Sequence, residues 1–206
     1  MRALKIVILL FAISTKAFAQ QPKIIGDCTV TFKISGADPG VNENLRGSSK
    51  TLYIKGHKTR VDISSSNINQ TTIYDSNTGV AVILKEVGAN KYMSTLDAAK
   101  WEQQNKKYDG MTISSTNETK TILGYECKKI VATLKNGNSF TIYYAPAIIP
   151  SAIENPYEFK NIPGFVLEYE MPGEKGNKIN FSATQISFSP VPASKFDIPK
   201  TGYRIL

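Results

Sequence analysis

From residue 28 onward, apolar and polar positions alternate with a period of two along most of the chain. Cys28, Val30, Phe32 and Ile34 alternate with Thr29, Thr31 and Lys33, the pattern of a strand with one face buried. Leu52 and Ile54 repeat it, Gly56–His57 turns the chain, and Val61 and Ile63 bring it back. Ile73 and Tyr74 predict a further strand that stops at Ser76–Gly79. Val80 to Leu84 is apolar at every position, which predicts burial on both faces. Gly88-Ala89-Asn90 then turns into Lys91-Tyr92-Met93. Strands and turns recurring about every ten residues predict an antiparallel meander.

The period changes once. In STLDAAKWEQQNKKYDG, residues 94–110, Ser94 or Thr95 is a candidate cap, Asp97 stands near the first turn and Gly110 lies beyond the end. This predicts the main helix over 96–108, with Leu96, Ala99 and Trp101 on its apolar side and the helix lying on the sheet. Residues 124–145, GYECKKIVATLKNGNSFTIYYA, predict two strands joined at Asn136–Gly137, a dipeptide suited to a tight hairpin. Residues 145–161, with Pro146, Pro150 and Pro156, predict a long irregular crossing.

After the crossing, Pro163–Gly164 is flanked by Ile162 and Phe165, apolar neighbours that suit the rim of an apolar concavity. Gly164 would allow a conformation closed to other residues, and Pro163 would fix the approach. Phe165, Leu167, Tyr169 and Met171 then alternate with Val166, Glu168 and Glu170. A turn from Pro172–Gly173 to Gly176–Asn177 precedes Ile179, Phe181 and Ala183. The phase slips afterwards to Ile186 and Phe188, which predicts a bulge at Thr184–Gln185. The fold class is therefore mainly β (α+β): a curved antiparallel sheet or half-barrel with one principal helix as a lid. No internal repeat interrupts it, so residues 20–206 read as a single domain.

Residues 1–19 read as a cleaved signal peptide. Arg2 and Lys5 precede the apolar run Ile6–Ile13, and Ala17-Phe18-Ala19 supplies a cleavage site after Ala19. The run is too short for a membrane anchor. Cys28 follows too late, behind Asp27, for a lipoprotein signal. No later stretch is apolar for long enough to span, so the mature chain is expected to be periplasmic or secreted. The formal charge is +8, and removal of Arg2, Lys5 and Lys16 leaves +5. Those charges are scattered among Asp and Glu, a pattern that favours solubility over nucleic-acid binding. In an oxidising compartment Cys28 and Cys127 are candidates for a disulfide, with two buried free thiols as the alternative. A bridge would close a loop of about 100 residues, worth about 4–5 kcal/mol on chain-entropy grounds.

Candidate chemistry is sparse. His57 is the sole histidine and falls in a turn. One His and two distant Cys do not make a zinc site. There is no Gly-x-Ser-x-Gly elbow and no phosphate-binding glycine loop. Cys127 lacks an orienting partner for nucleophilic work. Glu168 and Glu170 share a face and could meet calcium, although exposure alone explains them. Asn69 and Asn117 begin Asn-x-Thr triplets, relevant only in a eukaryotic secretory pathway. No catalytic residue, metal or cofactor is expected, and the chain is not expected to be an enzyme. Aromatic supply is the notable feature: of ten Tyr and nine Phe, Tyr143, Tyr144, Tyr157, Phe159, Phe165 and Tyr169 concentrate between 140 and 170. A curved sheet with more apolar inner face than one helix can cover leaves a cavity suited to acyl chains. The candidate pocket residues are Leu96, Trp101, Ile162, Phe165, Leu167 and Tyr169.

GYECKK at 124–129, PYEF at 156–159, IPGFVLEYE at 162–170 and the terminal SPVPASKFDIPKTGYRIL form an ordered series. It resembles an uncharacterised domain family of secreted Gram-negative proteins related to the GLPGLI family. The name-giving motif would fall on Asn161-Ile162-Pro163-Gly164-Phe165-Val166, with Asn161 for the first glycine and Phe165-Val166 for Leu-Ile. The resemblance implies the fold of the LolA-like periplasmic lipoprotein carriers, a strongly curved half-barrel with a helical lid over an apolar cavity. It implies no catalytic residues. The function expected is a non-enzymatic periplasmic binding or carrier protein for a lipid, a lipoprotein acyl chain or another apolar ligand. The alternative is an envelope sensor or protein-interaction module with a filled core, acting on an envelope protein partner.

Overall fold

The structure is a computed structural model and describes residues 21–36, 40, 43, 45–66, 68–172 and 177–206. The signal peptide read at 1–19 and the turn read across 173–176 lie outside the described residues. In chain order the elements are β1 (Lys23–Ile25), β2 (Asp27–Gly36), β3 (Ser49–Lys55), β4 (Lys58–Ser64), β5 (Ile68–Asp75), β6 (Val80–Val87) and β7 (Asn90–Leu96). There follow α1 (Ala98–Asn105), β8 (Thr112–Ile122), β9 (Tyr125–Thr133), β10 (Ser139–Ala145), β11 (Ile148–Pro150), β12 (Phe165–Pro172), β13 (Lys178–Ser187) and β14 (Arg204–Ile205). Among the described residues twelve strands form one sheet, ordered β14-β7-β6-β5-β4-β3-β2-β13-β12-β10-β9-β8. Every neighbouring pair is antiparallel except β14 on β7. β1 and β11 make a separate parallel pair. The sheet is not closed into a barrel, and its ends are β14 and β8. The mainly β architecture with one principal helix is the one expected from the sequence.

The alternation sets the inner face. Cys28, Ile54, Thr59, Tyr74, Ala81 and Leu96 lie opposite one another across β2 to β7. Along β2 and β3 every second residue is buried: Cys28, Val30, Phe32 and Ile34, then Lys50, Leu52 and Ile54. The same core takes in Ile130, Ile142, Leu167 and Phe181 from β9, β10, β12 and β13. In β6 the apolar run is buried at Ala81, Val82 and Leu84 and half-buried at Val80 and Ile83. On the outer face, Val191 and Phe196 of the C-terminal segment cover Ile73 and Tyr53. The slip in phase at 184 is a bulge, with register lost between Ala183 and Gln185 against β2. The β9–β10 hairpin closes where the Leu134 amide donates to Asn138 O at 2.9 Å and Gly137 takes a φ of 86°.

Three local readings change. The helix starts two residues later than expected and is capped by Asp97, whose Oδ1 accepts the Lys100 amide at 2.9 Å, rather than by Ser94 or Thr95. Those two residues are paired in β7, where a strand bond outcompetes a cap. Its buried stripe is Trp101 and Asn105, continued by Tyr108 in a 3-10 turn, while Ala99 faces solvent. The second change is β8, an edge strand built largely of Thr, Ser and charged residues. With one neighbour and no buried face over most of its length, it has no alternation to read.

The third concerns the cysteines. Cys28 and Cys127 are fully buried and free, not bridged. They sit on β2 and β9 with β13, β12 and β10 between, about 19 Å along the sheet at the usual strand spacing. A disulfide needs Cα atoms within about 7 Å. Burial pushes the Cys28 thiol up to about 12 and the Cys127 thiol to about 11, so neither offers thiolate at neutral pH. Native protein should therefore resist iodoacetamide, and unreduced protein unfolded in urea should take up two adducts by mass spectrometry. A doubly protected unfolded chain would mean that the bridge exists.

Candidate functional site

The crossing between β11 and β12 leaves the sheet and folds back over its inner face, carrying Glu154, Glu158 and Phe159 inward. Asn155 organises this turn: its Oδ1 accepts the amides of Tyr157 at 3.0 Å and Glu158 at 3.3 Å. Its Nδ2 donates to Asn105 Oδ1 at 2.9 Å, which ties the crossing to the last turn of α1. Asn105 in turn donates to Trp101 O at 2.9 Å.

Beneath the crossing lies a polar cluster inside an otherwise apolar core. Lys50 projects from β3 on the same parity as Leu52 and Ile54 and is 0 % exposed. Its Nζ donates to Tyr169 Oη at 2.6 Å and forms an ion pair with Glu154. Rings of Phe32, Tyr169 and Phe181 stand 4.6, 4.7 and 5.5 Å from the ammonium. Tyr169 stacks on Phe181 at 4.7 Å and meets Phe159 edge-on at 5.0 Å. A cation taken from water is tolerated only when charge, hydrogen bond and ring faces replace its hydration, and all three are present here.

Glu158 completes the cluster, buried and hydrogen-bonded to Tyr108. Burial, with the Glu154 charge behind it, lifts the Glu158 carboxyl from 4.5 to about 7, against the opposing pull of Lys50, Tyr108 and Lys107. Burial likewise raises the Tyr169 and Tyr108 phenols well above their ordinary range. The cluster anchors the crossing to the sheet: β3, β12, the turn after α1 and the crossing all meet at it.

Next to it is an apolar cavity of about 90 Å³ between the crossing and β3, with walls that include Leu52, Ile54, Phe159, Ile162 and Phe165, and Glu154 at its edge. Its mouth carries the exposed side chains of Ile149 and Ile153, and Ile24 beside Ile149 is 72 % exposed. Gly164 forms part of the wall because the chain runs against β10 there. A Cβ at this position would strike Ala145 O, and would lie 2.7 Å from Tyr144 Cδ2 and 2.8 Å from Ala145 C. The residue is glycine for closeness of approach rather than for an unusual backbone angle; the left-handed residue is Asn161, at φ 62°. Gly164→Ala should cost about 1–3 kcal/mol through overpacking against backbone, visible as a lower urea midpoint at unchanged slope.

Of the six expected pocket residues, Ile162 and Phe165 line the cavity. Leu167 and Tyr169 lie in the same core but not in its wall, and Tyr169 is engaged with Lys50. Leu96 and Trp101 belong to a separate cluster with Tyr74 and Ala81 at one end of the sheet. The helix therefore covers that end, and the crossing rather than the helix closes over the cavity. His57 lies in the β3–β4 turn, 3.5 Å from Asp75. Glu168 and Glu170 are taken by lysines, Glu168 by Lys120 at 2.7 and 2.8 Å and Glu170 by Lys178 at 2.9 Å. Among the described residues no group of three or more His, Cys, Asp or Glu could hold a metal. No helix there is long and apolar enough to cross a membrane.

Over residues 45–187 the sequence matches the family described as the N-glycanase peptide, N-terminal domain, of PNGase F-II. The chain belongs to this family. The PNGase F-II N-terminal domain relation replaces the GLPGLI one, whose short motif departs at four of six positions here. Two solved structures of PNGF-II, in space groups C2 and P21, are 14% and 12% identical with TM-scores of 0.52 and 0.53. They match 87% and 88% of this chain but 30% and 32% of their own, so the chain spans about a third of their length. The likeness shows a shared fold. A LolA superfamily protein from Nitrosomonas europaea matches at 10% identity and a TM-score of 0.34, over 88% of this chain and 92% of its own. No curated protein matches the sequence.

Proposed function

We propose that this chain is a non-enzymatic periplasmic binding module that takes an apolar group into the cavity beneath the crossing. The observation that carries the reading is the cavity itself: apolar walls, a carboxylate already committed to Lys50, and isoleucines exposed at the mouth. Its 90 Å³ is small beside the about 300–1,000 Å³ of most small-molecule sites, which supports a short or branched alkyl group rather than a whole acyl chain. The pattern of residues 1–19 supports the compartment. The family is that of an N-terminal domain of an N-glycanase, and its members' activity is not carried over to a chain one third as long.

Neutral n-alkanols of increasing length test the reading by NMR. Short members should shift resonances of Leu52, Ile54, Ile162 and Phe165, and Ile153→Glu at the mouth should weaken the effect about tenfold. Alkanols that leave those resonances unmoved would rule the cavity out as a binding site. A second reading is favoured by the filled interior around Lys50: an interaction module that meets an envelope protein through the exposed Ile24, Ile149 and Ile153.

A further inference from the structure

The crossing, over residues 151–164, is fixed at both ends. Ser151 donates its amide to Ile25 O at 2.9 Å and its hydroxyl to Gly56 O at 2.6 Å, and Gly164 lies hard against Ala145 and Tyr144. Between those ends Lys50 pairs with Glu154, Asn105 meets Asn155, Tyr108 holds Glu158, and Phe159 packs on Tyr169. The bonds of the Asn155 turn to Tyr157, Glu158 and Phe159 lie within the crossing and would travel with it. A segment pinned at its ends and held in the middle by side chains can lift without unfolding the sheet.

Two of those middle contacts share one charge problem. Glu158 is faced by Glu154 from its own segment, Lys50 from β3, Tyr169 from β12, and Tyr108 and Lys107 from the turn after α1. Lys107 is exposed, with its ammonium over the Tyr108 ring at 4.8 Å, whereas Lys50 is fully buried. Two carboxylates therefore share one buried ammonium. With a proton on Glu158 the cluster is neutral; without it a net negative charge sits in the core beside Glu154. Lifting the crossing carries Glu158 into water and removes that cost. The closed form thus keeps the proton up to about pH 7, and the lifted form gives it up at the ordinary 4.5. Between those values each unit of pH raises the lifted fraction about tenfold, and above them the rise levels off.

We infer that the crossing is a lid over the apolar cavity, latched by a single proton in the Lys50–Glu154–Glu158 cluster and released as the medium passes from acid to alkaline. Phe159 and Ile162 are walls of the cavity and move with the lid. The consequence for a ligand rests on the binding role proposed above: an apolar group is held in acid and let go above neutrality.

Hydrogen exchange of the full chain, without ligand, tests the latch, read as protection factors so that the intrinsic effect of pH on exchange is removed. Protection of the Tyr157, Phe159 and Ile162 amides should lie below that of the β2 and β3 amides and fall about 70-fold from pH 5 to pH 8. Low urea should leave it nearly unchanged, since a local opening exposes little surface. In Glu158→Gln it should stay level across the same pH range. A bound n-alkanol should leave faster at pH 8 than at pH 5 by NMR line shape. The inference is overturned if the crossing exchanges only as slowly as the sheet, or if its protection is the same at pH 5 and pH 8. It is also overturned if Glu158→Gln keeps the parent's pH dependence, or if a bound alkanol leaves equally fast at both pH values. Alkanols that bind at neither pH count against the binding role alone, because the exchange measurement contains none and still decides the latch.

Discussion

Lys50→Ala should unfold the protein about 3–5 kcal/mol more easily, the cost of leaving one half of a buried ion pair behind. In a chain of this size that is on the order of a 10 °C fall in Tm. The loss has two sources. Glu154 and the nearby Glu158 keep their negative charge or take up protons, and the space between Phe32, Tyr169 and Phe181 is emptied. A companion variant separates them. Lys50→Met with Glu154→Gln fills the space and removes the charge together, and replacing a buried pair by packed apolar groups is often neutral. The double variant should recover most of the lost stability by urea denaturation. If Lys50→Ala is within error of the parent, the cluster does not anchor the crossing.

Glu158 makes stability fall with pH. Its carboxyl titrates at about 7 in the folded chain against an ordinary 4.5, because burial and Glu154 disfavour the charged form more than Lys50, Tyr108 and Lys107 favour it. The folded chain thus holds the proton more tightly than the unfolded one. The contribution is fully present below pH 4.5 and is lost as pH rises through 7. Over that window it amounts to about 3 kcal/mol at 1.36 kcal/mol per unit. Glu158→Gln keeps the shape, can still accept from Tyr108 and cannot ionise. Its unfolding free energy should decline less between pH 5 and pH 8 than the parent's, by about that amount. Parallel curves for the two proteins would show that another group carries the dependence.

The sequence is informative where one face of a strand is buried and the other is wet. That is why β2, β3, β9, β10, β12 and the slip at Ala183–Gln185 are readable from alternation alone. β8 is an edge strand with polar residues on both sides, and no period marks it. The site divides in the same way. Ile162 and Phe165 follow from apolar flanks around Pro163–Gly164. Lys50 carries a usable signal, since it falls on the inward parity with Leu52 and Ile54, and a lysine there needs a buried counter-charge. The counter-charge itself is not readable. Glu154 and Glu158 lie in an irregular segment, where inward and outward positions are set by the Asn155 turn and by tertiary contact.

The pairing of β2 with β13 also bears on how the chain reaches this state. β2 to β7 form a run of local hairpins, and so do β8 to β10. The two runs are joined in the sheet through β12 and β13, with β13 lying against β2. Thr184 Oγ1 donates to Thr31 O at 3.2 Å across 153 residues of sequence. That ladder cannot form until nearly the whole chain is available. Loop closure over such a distance is a large entropic cost met before any contact rewards it. Until β13 docks, the inward face of β2, with Val30, Phe32 and Ile34, has no partner on that side. The same strand that completes the core is therefore the one whose late arrival leaves the partly folded chain open to misassociation.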